Sequence, residues 1–330
     1  MTAKIIAGHK IVRRAGRSSR AIYGYSRRST TMCIFQGGRN LVFCLAVTSA
    51  IATMTVPATA QSDAAFHEVE TKYIFGLFTL GSATGIEGEK AIELNTTAGF
   101  GKRAGRYAAT ETEIEVEYTP NQYVQIELGP TVSYYNIRNV PGLDDRNGGN
   151  VNGFEGDFRF LLLDRGPSPF AVTLSVEPEW HSFDETSGVR VSNYGLETKL
   201  EADTELVKNR LFLAFNALYE PEITLDLSGG GWSSESTWGV SSALAFQIIP
   251  KVVVGSDLWY LHHYEGVGFN SSTGDALYLG PTFFWQIAPK VLMAASWQAQ
   301  LAGHEMGVAF PLDLTDFSRQ RARLLVEVEF

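Results

Sequence analysis

Over residues 91–330, apolar and polar side chains repeatedly alternate at every second position, in runs bounded by turn formers. A strand sorts two such sets onto opposite faces, whereas a helix with a period of 3.6 would mix them. The clearest run interleaves Thr110, Thr112, Ile114, Val116 and Tyr118 with Glu111, Glu113, Glu115 and Glu117. After Thr119-Pro120-Asn121-Gln122 comes a second run, with Val124, Ile126, Leu128, Val132 and Tyr134 opposite Gln125, Glu127, Gly129, Thr131 and Ser133. The pair reads as a hairpin.

The same reading predicts twelve strands over 91–101, 107–119, 123–135, 153–163, 170–182, 192–206, 211–222, 235–249, 252–264, 275–287, 291–302 and 316–330. Most are 11 to 15 residues long. Strands of soluble domains run about 5–6 residues, and a tilted membrane-crossing strand needs about 9–11. The fold class predicted is all-β, a closed antiparallel transmembrane β-barrel of about twelve strands in an up-and-down meander. An even strand count is what bacterial barrels prefer.

The connections alternate in length. Those leaving even-numbered strands are short, as at Ile249-Pro250-Lys251 and Ala288-Pro289-Lys290, while those leaving odd-numbered strands include 136–152, 184–191, 265–274 and 303–315. Short periplasmic turns and longer external loops are the pattern of outer-membrane barrels, which predicts that both termini are periplasmic. Charge is absent from the sets assigned outward, such as Leu196, Thr198, Leu200 and Ala202, or Leu277, Leu279, Phe283 and Trp285. A charge facing lipid at mid-depth would cost roughly 2–4 kcal/mol. Aromatic residues near strand ends, among them Tyr134, Trp180, Tyr194, Trp238 and Tyr260, suit an interfacial girdle. Residues 252–264 lack a polar face, so their facing stays open. Residues 61–90 carry Tyr73-Ile74-Phe75-Gly76-Leu77-Phe78 and read as an N-terminal lead or a plug inside the lumen.

Charge divides the chain. Residues 1–60 hold nine basic groups and no acid, leaving 18 of the 27 basic groups against all 36 acidic ones. The remainder is therefore near −18, which argues against a nucleic-acid partner. Arg39, the apolar run 41–55 and Ala58-Thr59-Ala60 follow the order of a secretory signal, with cleavage expected after Ala60. The apolar run is about fifteen residues long, where a membrane helix needs roughly twenty. Met32 would begin a presequence of ordinary length. Cys33 and Cys44 both lie in this presequence, so the exported part has no thiol, no disulfide and no cysteine metal site. No cofactor is expected.

The inward sets are charged. An acidic wall comprises Glu111, Glu113, Glu115, Glu117, Glu127, Asp157, Glu177, Glu179, Glu197, Glu201 and Asp203, with Arg159, Lys199, Arg319, Arg321 and Arg323 as basic residues. Such a wall must be hydrated or paired, since an unpaired buried charge is too costly. The three arginines on the last strand are expected to cross the small residues of the first strand and reach Glu111 and Glu113. That arrangement either orients solutes or closes the barrel seam.

The chain ends Leu324-Leu325-Val326-Glu327-Val328-Glu329-Phe330, with Leu324, Val326, Val328 and Phe330 forming an alternating apolar set. This resembles the C-terminal recognition strand of Gram-negative outer-membrane proteins. The resemblance implies outer-membrane lipid and the outer-membrane assembly machinery as partners. Size and strand count also resemble small channels for aromatic or other small solutes, including the phenol meta-pathway type. The function expected is passage of small polar solutes through a narrow acidic lumen, and such a lining favours cations. An alternative is a barrel hydrolase, for which the candidates are His181-Ser182, Asp257 with His262-His263, and His304-Glu305. Adjacent strand residues point to opposite faces, which excludes a His181–Ser182 dyad, and histidines near strand tops are expected to face solvent. A third reading is an adhesive barrel acting through loop 136–152, whose acidic spacing does not fit an EF-hand.

Overall fold

The computed structural model describes residues 70–330; the presequence, including Ala58, Ala60 and both cysteines, lies outside the described residues. The described residues form twelve strands. They are β1 (Lys90–Phe100), β2 (Arg106–Asn121), β3 (Val124–Arg138), β4 (Arg146–Leu163), β5 (Phe170–Phe183), β6 (Arg190–Val207), β7 (Leu211–Asp226), β8 (Gly231–Ile249), β9 (Val252–Glu265), β10 (Ser272–Ala288), β11 (Val291–Glu305) and β12 (Gln320–Glu329). Each pairs with its chain neighbours, and β1 pairs antiparallel with β12 to close the barrel. Closure leaves no strand edge with unpaired backbone groups, a condition for crossing hydrocarbon.

Facing follows the alternation. In β2, Ile114 and Val116 are 44% and 55% exposed on the outside, while Glu115 and Glu117 are buried in the lumen. The outward apolar set of the last strand is likewise exposed, with Leu324, Val328 and Phe330 on the outer surface and Leu325 and Glu327 buried inside. For β9, whose facing the sequence left open, Val253, Asp257, Trp259 and Leu261 point inward and Leu258 outward.

The barrel has a turn end, which carries the starts of β1 and the finish of β12, and a loop end. Several strands extend further at the loop end than the alternation indicates. β4 begins at Arg146 rather than near 153, pairing Asn147 with Asn136 and Gly149 with Tyr134, so the expected loop 136–152 shrinks to 139–145. Conversely β12 begins at Gln320, and the expected strand 316–330 loses its first residues to a 306–319 connection. Beyond the lipid zone both faces of a strand meet water, so side-chain alternation no longer marks its extent.

Candidate functional site

The inner wall has two unlike halves. On β2 to β6 the inward side chains are the expected acids, whereas on β7 to β12 many are small or apolar, including Phe212, Ala214, Ala243, Ala245, Val253, Phe284, Leu292 and Ala294. Against this second half packs residues 71–82, a segment that fills the turn-end part of the lumen. Its Tyr73, Ile74, Phe75, Leu77 and Leu80 form one buried cluster with those wall residues and Leu325. Gly76 turns the segment at φ +108°, and a Cβ there would lie 2.4 Å from Ser296 Oγ and 2.6 Å from Thr282 Cγ2. Only glycine combines that dihedral with that close approach.

A non-repetitive segment inside a barrel must find partners for its backbone, and the wall supplies them. Ser296 Oγ accepts from Leu77 N at 2.8 Å; Asn216 accepts from Leu80 N at 2.7 Å and donates back to Leu80 O at 2.9 Å. Arg323 donates to Leu77 O and Arg159 to Gly81 O, both at 2.8 Å. Asp203 accepts from Ser82 N at 2.6 Å, and Gly81 N closes the segment on Lys72 O at 2.9 Å. Inward polar residues on otherwise apolar strands are thus backbone partners of the plug.

The ion pairs divide the charged residues further. Lys72, 2% exposed, is held by Glu93 at 3.3 Å, Glu117 at 3.1 Å and Glu127. Arg159 pairs with Glu201 at 2.6 Å and Asp157 at 3.8 Å, Lys199 with Glu177 at 3.3 Å and Glu197, and Arg165 with Asp203. Arg323 reaches across β1 to Glu113 at 3.8 Å, as expected. Its two neighbours do not. Arg321 bonds Gln298 Oε1 at 2.6 Å and lies over Tyr278 at 4.2 Å and Phe78 at 4.4 Å, taking aromatic faces instead of a carboxylate. Arg319 precedes β12 and is exposed, its backbone N bonding Gly101 O at 2.8 Å, so it belongs to no luminal ladder.

His181 corrects another expectation. It is 2% exposed and faces the lumen, with Nε2 at 2.7 Å from Glu155 and 3.2 Å from Glu111, and Nδ1 at 3.3 Å from Glu185. Carboxylates at both ring nitrogens are satisfied by an imidazolium with a proton on each, which makes His181 a cross-link of the acidic wall. Ser182, on the opposite face, donates to Asn152 O at 2.5 Å. Asp257 accepts from Gln298 at 2.8 Å and His263 bonds Thr273 at 2.8 Å, so these two form no dyad. His304 is exposed. The one serine–histidine contact among the described residues that were candidates lies on the outer surface, His262 Nε2 to Ser272 Oγ at 2.8 Å, with Tyr260 OH at 3.1 Å from His262 Nδ1.

Sequence reasoning placed Tyr73 in a lead or plug but missed Lys72 and the role of the Tyr73 hydroxyl, which donates to Glu93 at 2.8 Å. The available signal was a lone basic residue beside a non-alternating apolar run.

Above the plug, toward the loop end, lies a vestibule of about 400 Å³. Phe78, Arg321 and Arg323 contribute to its floor, and its lining carries twelve carboxylate residues against five basic ones, counting His181 and His263. A smaller chamber of about 70 Å³ separates the plug from the acidic wall between Asn95 and Asp157.

A closed twelve-stranded meander with a charged, plugged interior and an apolar outer belt defines an outer-membrane-type β-barrel. The chain belongs to the family of unknown function DUF6662, whose model matches residues 67–330. No curated protein matches it. Among solved structures, it is similar to the COG4313 outer membrane channel from Pseudomonas putida F1, at 8% identity and a TM-score of 0.52, covering 76% of this chain and 98% of that one. The NanC porin follows at 13% identity and a TM-score of 0.44, covering 72% and 100%, and the KdgM porin in complex with disordered oligogalacturonate at 10% and 0.40, covering 73% and 99%. The likeness to the first is one of fold.

Proposed function

We propose that the protein is an outer-membrane channel for small polar solutes, held closed by residues 71–82. It sits in the outer membrane of a Gram-negative bacterium with its loop end outward and both termini in the periplasm, and the assembly machinery reads Leu324, Val326, Val328 and Phe330. The observation that carries this reading is the vestibule, a space of about 400 Å³ with a large excess of carboxylates, stopped by a segment held in the lumen by packing, hydrogen bonds and ion pairs. An acidic lining concentrates cations and repels anions. Planar-bilayer recording of the full chain in a salt gradient tests it. The expected record is brief, rare openings with a reversal potential on the cation side, and anion preference or a complete absence of conductance overturns it.

One observation favours a second reading, a lipid hydrolase working from the outer surface: the His262–Ser272 contact stands among half-buried aromatics at the loop end. A nucleophilic serine needs a base that is itself oriented, and here a tyrosine hydroxyl rather than a carboxylate holds the other ring nitrogen. Loss of lipid hydrolysis in Ser272→Ala would establish it.

A further inference from the structure

The vestibule wall contains a notch. On β6, Gly195 pairs with Glu179 of β5 on one side and with Glu222 of β7 on the other, so three strands present carboxylate, glycine and carboxylate in register. The missing side chain is where Glu179 sits, since a Cβ on Gly195 would lie 1.8 Å from Glu179 Oε1. Glu220, the inward residue next to Glu222 on β7, adds a third carboxylate, and neither Glu179 nor Glu220 has a cationic side chain within salt-bridge distance among the described residues. Most acids elsewhere in the wall pair with Lys72, Arg159, Lys199, Arg323 or His181, with Glu115 and Glu327 on either side of Glu93, and Asp257, as exceptions; those at the notch do not.

Two independent features specify the occupant. Asn193, the inward residue next to Gly195 on β6, is 8% exposed; its amide nitrogen donates to Glu222 at 2.7 Å and Thr224 at 2.9 Å, yet its Oδ1 has no donor. An orphaned buried acceptor beside unpaired carboxylates calls for a ligand rich in N–H groups. The next inward residue on β7 after Glu220, moving toward the plug, is Leu218, which belongs to a buried apolar cluster with Phe78, Trp259 and Leu261. Successive inward positions lie about 7 Å apart along a strand, so a ligand of one ring length spans both environments.

We propose, extending the channel reading above, that the vestibule binds organic cations: the ammonium group docks on the Glu179 carboxylate seated at Gly195, beside Glu220 and Glu222, and the apolar body lies against Leu218 and Trp259. The protein already performs this recognition once on itself. In the plug, an ammonium on the acidic wall at Lys72 is followed, after Tyr73, by apolar side chains on the other wall, Ile74 and Phe75.

The test uses the full chain in detergent micelles, titrated calorimetrically with 2-phenylethylammonium, its neutral analogue 2-phenylethanol, the anion phenylacetate, and methylammonium. The expected result is binding of 2-phenylethylammonium at least about tenfold tighter than either the neutral analogue or methylammonium, with no binding of phenylacetate. Glu179→Gln with Glu220→Gln should weaken it about tenfold or more. Gly195→Ala, a milder change at a backbone conformation alanine tolerates, should weaken it severalfold by displacing the Glu179 carboxylate. Equal affinity for the cation and its neutral analogue, no binding of any probe, or cation binding unchanged in both variants overturns the proposal. Because the titration needs no open pore, a failed titration beside cation-selective conductance sinks only this assignment. Binding without conductance in any variant sinks the channel reading instead.

Discussion

Replacing Lys72 with methionine is the most direct perturbation of the closed lumen. The side chain is nearly isosteric, so apolar packing persists, but Glu93, Glu117 and Glu127 lose their shared cation while remaining 1–4% exposed. Removing one partner of a buried ion pair costs about 3–5 kcal/mol, because the partners left behind stay desolvated. The strand ladder closes independently of residues 71–82, so the barrel can relieve that cost by releasing the plug and admitting water. At about 1.4 kcal/mol per tenfold, the closed-to-open ratio should fall by about two to three and a half orders of magnitude. Single-channel open probability of Lys72→Met at neutral pH measures it. Adding Glu117→Gln and Glu127→Gln should restore much of the closed state, since only one of the three carboxylates, Glu93, then remains, and the Tyr73 hydroxyl donates to it. A correctly folded Lys72→Met barrel that stays as closed as the parent refutes the reasoning, and so does a triple variant more open than the single one.

Gly76→Val should also open the channel, because a side chain collides with Ser296 and Thr282 at a positive φ; folded, closed barrels would show that the plug seats without that approach. Ile114→Arg places a charge on the lipid face where the isoleucine is 44% exposed; folding free energy in lipid, read by denaturant titration, should fall by roughly 2–4 kcal/mol, and a neutral effect would contradict the outward assignment. Lys102 pins the 306–319 connection by donating to Thr315 O at 2.8 Å and Phe317 O at 3.1 Å. Burial lowers its pKa from 10.5 to about 8, against the opposing pull of Asp316. The undocked connection therefore holds the extra proton between those values, and docking strengthens as pH rises from about 8 to 10.5. Limited proteolysis at 313–319 should slow over that window relative to a pH-matched exposed loop; cleavage that accelerates would show that the charged ammonium is what holds the connection.

The strand count and most facings are legible because hydrocarbon penalises charge on one face alone, which separates Ile114 and Val116 from Glu115 and Glu117. The rule fails where that asymmetry disappears. On β9 the inward Val253, Trp259 and Leu261 pack largely against plug residues and their apolar neighbours, so apolar side chains fall on both faces and the alternation is lost. At the loop end, Asn147 to Asn150 continue a strand that has left the lipid, with nothing in composition to mark it. Site chemistry was partly legible: Arg323 finds Glu113 because both sit at computable places in a meander. Lys72 was not, since its partners lie 21, 45 and 55 residues away and its own segment has no period.

The two halves of the lumen do different work in holding the plug. Contact between Ile74, Phe75, Leu77 and Leu80 and the apolar wall supplies attraction but little direction, because hydrophobic burial scales with area and tolerates sliding. Register comes from the polar contacts: three carboxylates converge on Lys72, and Asn216 both accepts from and donates to Leu80. Neutralising the ionic knot while keeping its volume should therefore leave the segment seated but slack, whereas Asn216→Leu, which gains apolar area and loses both bonds, should leave it attracted and misplaced. Paired labels on residue 78 and on β9 distinguish the two states: a broadened distance distribution about the same mean for the first, a shifted mean for the second. Identical narrow distributions in both variants would mean that apolar shape alone fixes the plug.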